Sequence, residues 1–329
     1  MREYKSVLKN YFCEYIALCE KTLNNGTCLR KETSLTNFDR FLDRHSNTEV
    51  VTEDIINRWI ESLRKKHENT VSYYISDLRN FLHYANASGL NAFIPDIPKR
   101  KDSFVPYIYS EAELARIFLE ADNYIPVSKN AVTGIDYKLP MILRLLYSCG
   151  LRLGETLQLK VCNVDFVNST LILKETKNKK QRFVPMDASM AKLIRKYCFA
   201  ARIYDKPYAY LFPGNSPEKP IRIAAIEVHF RNILKKADIP VDTKNNRRGP
   251  CLHSFRHCFV LHSFRNVERA GLRLDDTLSY LSTYLGHKSL HETERYMKFA
   301  GELFKEDMKR FEDFSKTLFP EVNNEETTE

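Results

Sequence analysis

Apolar residues along positions 1–95 recur at three- and four-residue steps with few breakers between them, the spacing of amphipathic helices. Thr52 precedes Glu53 and Asp54, and Ile55, Ile56, Trp59, Ile60 and Leu63 follow, so an N-cap with first-turn acids opens one helix. A second is predicted to begin near Thr70, with Tyr74, Leu78, Phe81, Leu82 and Ala85 on its apolar side and Gly89 as its stop. Its other side carries Ser72, Tyr73, Ser76, Arg79 and Asn80, a polar face that suits solvent or phosphates.

The pattern changes at Pro95 and Pro98, which are followed by Lys99, Arg100, Lys101 and Pro106; residues 96–106 read as an extended basic linker. Ser110-Glu111-Ala112-Glu113 fits a capping box and opens a second domain. There an apolar helix runs from Leu139 to Cys149 and stops at Gly150, with a short helix around 153–157. Leu171-Ile172-Leu173 and Arg182-Phe183-Val184 are β-type runs flanking a lysine-rich turn, the clearest hairpin in the chain. Helical patterning resumes after Met186, interrupted by Pro213–Pro217 and by a basic loop at Lys244–Arg248. The fold expected is mainly α (α+β): a helical domain over 1–95, the linker 96–106, and a mostly helical domain with a small antiparallel sheet over 107–320. A tail at 321–329 with four glutamates is expected to be flexible.

Composition narrows the function. With 43% hydrophobic and 28% charged residues the chain is globular rather than disordered. Its ten glycines form neither G-x-G-x-x-G nor G-x-x-x-x-G-K, which argues against a nucleotide-binding enzyme. Eight cysteines without a C-x-x-C read as reduced thiols, and the N-terminus shows neither a signal peptide nor any membrane-length apolar run; a cytoplasmic protein with no membrane partner is expected. Lys and Arg number 51 against 42 Asp and Glu, a formal charge of +9 that favours a polyanionic partner, nucleic acid before an acidic membrane surface.

Candidate chemistry lies in the second domain. Gly150-Leu151-Arg152-Leu153-Gly154-Glu155 sets an arginine just past a helix stop, with a carboxylate three residues on to orient it. The hairpin supplies lysines; Leu252-His253-Ser254-Phe255-Arg256-His257 sets a histidine and an arginine on one helix face; Leu285-Gly286-His287 and Tyr296 follow. A phosphodiester under attack gathers negative charge on its nonbridging oxygens, and Arg152 and Arg256 would meet it with permanent, planar, bidentate cations. A phenol has a pKa of about 10 and needs help to lose its proton, while a departing deoxyribose oxygen needs one supplied.

In that order these motifs resemble the tyrosine recombinase (phage integrase) family, over roughly residues 108–300 by motif and over the N-terminal helices by layout. The resemblance implies a helical, SAM-like core-binding domain joined to a catalytic domain of the DNA breaking-rejoining fold. The two would close around duplex DNA. It makes Tyr296 the nucleophile, Lys177 the general acid for the 5′ oxygen, His253 an aid to proton transfer and His287 a phosphate ligand, with Glu155 and His257 supporting. Lys179 and Lys180, with Ser72, Tyr73, Arg79 and Lys99–Lys101, are candidate DNA contacts. A covalent 3′-phosphotyrosyl link conserves bond energy, so no cofactor, metal or ATP is expected. The implied partners are a DNA recombination site, a homotetramer in the synapse (monomer or dimer off DNA) and accessory bending or directionality proteins. The implied location is the bacterial nucleoid. Phe304, Met308, Phe311 and Phe314 would anchor a C-terminal helix on a neighbouring subunit or on their own domain.

Several alternatives remain open. Leu-His-Ser-Phe-Arg occurs again at 261–265, so His262 and Arg265 rival His253 and Arg256; nine residues turn a helix by about 900°, which puts the copies on opposite faces. The continuation His257-Cys258-Phe259 suits the family better than Asn266-Val267-Glu268. The 31 residues between Arg256 and His287 are longer than usual, as in a subgroup carried by transposons, whereas Arg265 would leave 22. The hairpin lysine is Lys177 or, with a two-residue slip, Lys179. His253 with His257, and His287 with His291, are spaced like helical metal ligands but lack a completing Glu or Cys pair, so no metal site is expected. Tyr280 and Tyr284 are expected to be structural. A type IB topoisomerase has similar chemistry, and a catalytically inactive DNA-binding regulator would keep the same fold.

Overall fold

The computed structural model describes residues 3–46, 48–98, 106–126, 134–174, 181–241, 249–287, 289, 292–293 and 296, without the side chains of 268 and 274–276. The chain divides into two compact units, Met1–Ser103 and Phe104–Glu329.

The first unit is built from α1 (Lys9–Thr22), α2 (Asn25–His45), α3 (Glu53–Ser62) and α4 (Glu68–Ala87). Thr52 caps α3 as its sequence predicts, its side chain accepting from the Ile55 N–H. α4 begins two residues before Thr70 because His67 Nδ1 accepts from the Asn69 N–H at 3.2 Å, a cap that apolar spacing does not reveal. Phe12 stacks on Phe81 at 4.3 Å, Phe38 meets Trp59 edge-on at 5.1 Å, and Phe12 meets Phe38 edge-on at 6.5 Å, tying all four helices into one core. Asp77, fully buried on α4, accepts from Arg30 at 2.6 Å and Ser34 at 2.9 Å and so pins α4 to α2.

The polar face expected on α4 is narrower than its composition suggests. Tyr73 is exposed, but Ser72 is only 4% exposed. It lies three residues before Ile75, in the row that continues to Leu78 and Leu82, and that row faces the core. Arg79 donates to the Pro95 carbonyl at 2.6 Å and lies 3.8 Å from Asp96.

The second unit comprises α5 (Glu111–Asp122), α6 (Ile135–Ser148), α7 (Leu153–Gln158), β1 (Val164–Asp165), β2 (Thr170–Leu173), β3 (Arg182–Pro185), α8 (Ala188–Ala200), α9 (Ile223–Lys236), α10 (Leu252–Arg269) and α11 (Leu274–Leu285). The Ser110–Glu113 capping box is formed on both sides. The strands make an antiparallel sheet in the order β1-β2-β3, with Leu171 opposite Val184 and Leu173 opposite Arg182. β1, absent from the sequence pattern, is only two residues long and too short to show an alternation. The apolar helix α6 packs against α5, α8 and α10. Past its end, Gly150 takes φ +58°, and a Cβ there would stand 2.4 Å from the Phe259 ring, so both conformation and packing require glycine.

Tyr284 fills a structural place, stacked on Phe259 at 5.4 Å and donating to the Pro185 carbonyl. Tyr280 is 77% exposed and does not, because its turn of α11 faces solvent. All eight cysteines are free thiols, and among the described residues no helix is long and apolar enough to cross a membrane. Lys99, Arg100, Lys101, Lys177, Lys179, Lys180, the Lys244–Arg248 loop, His291, residues 304–314 and the tail lie outside the described residues.

Trp59 is the chain's one tryptophan, so its fluorescence reports on the first unit alone. Phe12→Ala should lower that unit's stability by about 3–5 kcal/mol in urea unfolding followed at Trp59. A loss under about 1 kcal/mol would contradict the packed aromatic core.

Candidate active site

Arg256 is 2% exposed, near the start of α10. Its guanidinium donates to the Gly150 carbonyl at 2.6 Å, to the Leu285 carbonyl at 2.8 Å and to His287 Nε2 at 3.0 Å. The Leu285 carbonyl is the last of α11, where acceptors are left without helical partners, and Gly150 lies in the turn just past α6. Burial and then the neighbouring Arg152 charge pull Arg256 down to about 10, which leaves it protonated at neutral pH. The rival pair points elsewhere: His262 Nδ1 lies 3.1 Å from the Tyr147 hydroxyl, and Arg265 lies 3.9 Å from Glu111.

Arg152 immediately precedes α7, and its backbone N–H and Nη1 both reach Glu155, at 3.0 and 2.9 Å. Its guanidinium also makes longer bonds to the Leu285 and Gly286 carbonyls, at 3.4 and 3.3 Å. A third arginine joins them: Arg182, the first residue of β3, grips both oxygens of Glu155 at 2.9 and 2.8 Å. Burial would raise the Glu155 carboxyl, but the Arg182 hydrogen bonds and charge, followed by those of Arg152, outweigh it and hold the group at about 2.

His287 closes the group. Arginine only donates, so His287 Nε2 accepts from Arg256, and its Nδ1–H then donates to Thr293 Oγ1 at 2.7 Å. Burial, then Arg256 and Arg152, push this imidazole down to about 3, so it is neutral at physiological pH. Tyr296 is buried, with its ring parallel to His287 at 6.4 Å and its hydroxyl 2.9 Å from His257 Nδ1. The exposed His253 ring stands edge-on to His257 at 4.6 Å.

The structure thus brings Arg152, Glu155, Arg256, His257, His287 and Tyr296 together, with His253 alongside. Lys177, Lys179 and Lys180 are outside the described residues. Arg182 is the residue that sequence reasoning missed. A signal was present: in β3, Arg182 shares its face with buried Val184 while Phe183 points outward, so the alternation places a cation on the inward face.

Residues 112–302 match the phage integrase family, and residues 7–94 match the phage integrase SAM-like domain. The chain belongs to the phage integrase family. As a member it is a tyrosine recombinase, an enzyme of site-specific recombination with the mainly helical fold expected. This integrase-family chain is 29% identical over 287 residues to a putative integrase/recombinase, y4rB, of Sinorhizobium fredii, covering 85% of this chain and 90% of the relative. It is 25% identical to the tyrosine recombinase XerC of Staphylococcus carnosus, covering 86% and 89%. Its fold is similar to that of the XerH site-specific recombinase bound to palindromic difH substrate, with a TM-score of 0.68, 17% identity and coverage of 92% and 85%. A lambda integrase dimer bound to a core site gives a TM-score of 0.63 at 16% identity, covering 87% and 94%.

Glu155 and His287 link stability to pH on the acid side. Glu155 lies below its ordinary 4.5, so its contribution is whole above about 4.5 and is lost as pH falls towards about 2. His287 lies below its ordinary 6.5, so the unfolded chain binds the extra proton and stability falls between about 6.5 and about 3. In denaturant midpoints measured against pH, Glu155→Gln should flatten the lower part of this decline and His287→Asn the upper part. Unchanged slopes would contradict the described contacts.

Proposed function

We propose that this tyrosine recombinase is the strand transferase of a mobile element, cutting and rejoining double-stranded DNA at a recombination site for integration, excision or transposition. Tyr296 is the nucleophile. Its phenolic oxygen attacks the scissile phosphorus, the bond to the 5′ oxygen breaks, and that oxygen takes a proton from the hairpin lysine, Lys177 or Lys179. Arg152 and Arg256 hold the nonbridging oxygens, His287 adds a further hydrogen bond, and His257, whose Nδ1 meets the hydroxyl, receives the phenol's one proton with His253 assisting the transfer. Attack by a 5′ hydroxyl of another strand reverses these steps and frees Tyr296. The energy stays in the phosphotyrosyl link throughout.

The observation that carries this reading is the convergence of two guanidiniums and a neutral imidazole beside a buried phenol already bonded to a second imidazole. A bound phosphodiester would supply the negative charge that this cluster lacks. The partition into a core-binding domain (1–95), basic linker (96–106), catalytic domain (107–320) and acidic tail (321–329) goes with it. Tyr73, Arg79, Lys99, Arg100, Lys101, Lys179 and Lys180 then serve as sequence-tolerant contacts. The DNA partners named for XerH and lambda integrase extend to this chain, as do a tetrameric synapse, accessory directionality proteins and residence at the nucleoid.

A nicked suicide substrate spanning the junctions of the chain's own genetic element should trap a covalent protein–DNA adduct. Tyr296→Phe should abolish it. Arg256→Lys should slow its formation by about 10²–10³-fold, since an ammonium cannot reproduce the planar fork. No adduct with the wild type, or an adduct that survives Tyr296→Phe, overturns the reading.

A further inference from the structure

The Glu155 carboxylate is saturated. Its two oxygens offer about four acceptor sites. Oε1 takes Nη1 of Arg182 and Nη1 of Arg152, while Oε2 takes Nη2 of Arg182 and the backbone N–H of Arg152. The two arginines are therefore unequal. Arg182 has the bidentate fork and lies deep, with a side chain 10% exposed; Arg152 keeps a single side-chain bond to the carboxylate and is 28% exposed.

Left alone with one buried carboxylate, a guanidinium would take the fork itself, because two parallel charge-assisted bonds outweigh one. Arg182 occupies that geometry and denies it to Arg152. Among the described residues the second edge of Arg152 keeps only a long contact to the Gly286 carbonyl, which an anion can displace. The Leu-Gly-His motif is shaped around the same contact. Gly286 takes φ +64°, and a Cβ there would stand 2.7 Å from Nη1 of Arg182, so this glycine leaves the path along which Arg182 reaches Glu155.

We infer that Arg182 is a positioning residue: by holding the fork on Glu155 it keeps Arg152 turned outward and available to the scissile phosphate. This rests on the reading of Arg152 as a phosphate ligand. Arg182 touches neither DNA nor the reacting atoms in this account, and it acts through Arg152 alone.

The test compares two suicide substrates, one with the ordinary scissile phosphate and one with a methylphosphonate there, whose uncharged methyl group removes the need for a correctly placed guanidinium. On the ordinary substrate Arg182→Met should form the Tyr296 adduct about 100-fold more slowly than the wild type. On the methylphosphonate the deficit should shrink to about threefold, with DNA affinity unchanged on both. Glu155→Gln added to Arg182→Met removes the competing charge and should recover about tenfold on the ordinary substrate. Arg182→Lys keeps the charge but not the fork, and should show a smaller deficit with the same substrate dependence.

Equal deficits on both substrates, in both Arg182 variants, would make Arg182 merely structural and overturn the inference. So would a full rate with Arg182→Met, or no recovery in the double variant. If the wild type gives no Tyr296 adduct on either substrate, it is the underlying reading that fails, and the inference with it.

Discussion

A guanidinium that does not lose its proton at neutral pH is buried at Arg256, and the arrangement around it follows from the need to satisfy that charge. Taking a cation out of water is costly unless its donors are all engaged. Among the described residues its hydrogen-bond partners are the terminal carbonyl of α11, the Gly150 carbonyl in the turn after α6 and a neutral imidazole rather than a carboxylate. The carbonyl at the C-terminus of α11 carries the partial negative charge of the helix dipole. The two carbonyls hold the cation without neutralising it, and α10, α11 and the turn after α6 are fixed against one another in the same stroke.

The same economy governs the rest of the cluster. Three arginines lie around one carboxylate that only Arg152 and Arg182 bond, and burial first, then the charges of the neighbouring arginines, depress both Arg256 and His287. In the free protein this is an unfavourable concentration of positive charge. A phosphodiester anion would relieve it, so the affinity proposed for phosphate is prepared by repulsion already present in the fold. The neutral state of His287 belongs to this balance, since a further charge would add to the repulsion.

Much of this was legible in the chain wherever the cause is local. The caps at Thr52 and Ser110 involve side chains within three residues of the backbone groups they satisfy, and both form as their spacing implies. Arg152 with Glu155, three residues apart, is of the same kind. What escaped depends on distant partners. Ser72 reads as polar yet lies in a row facing the core, β1 exists only through pairing with β2, and Arg182 reads as one more hairpin cation until Glu155, 27 residues upstream, is seen to receive it.

The chain by itself settles the two-part helical plan, the hairpin, the residue types of the cluster and the family to which they belong, because these follow from short-range periodicity, capping chemistry and motif order. It leaves two matching His-x-x-Arg pairs on α10. Packing separates them: one helix face meets the Gly150 and Leu285 carbonyls, which can solvate a buried guanidinium, whereas on the other face His262 meets the Tyr147 hydroxyl and Arg265 lies beside Glu111. Only folding tells equal local sequences apart, since the acceptors that distinguish Arg256 from Arg265 come from segments 106 and 29 residues away.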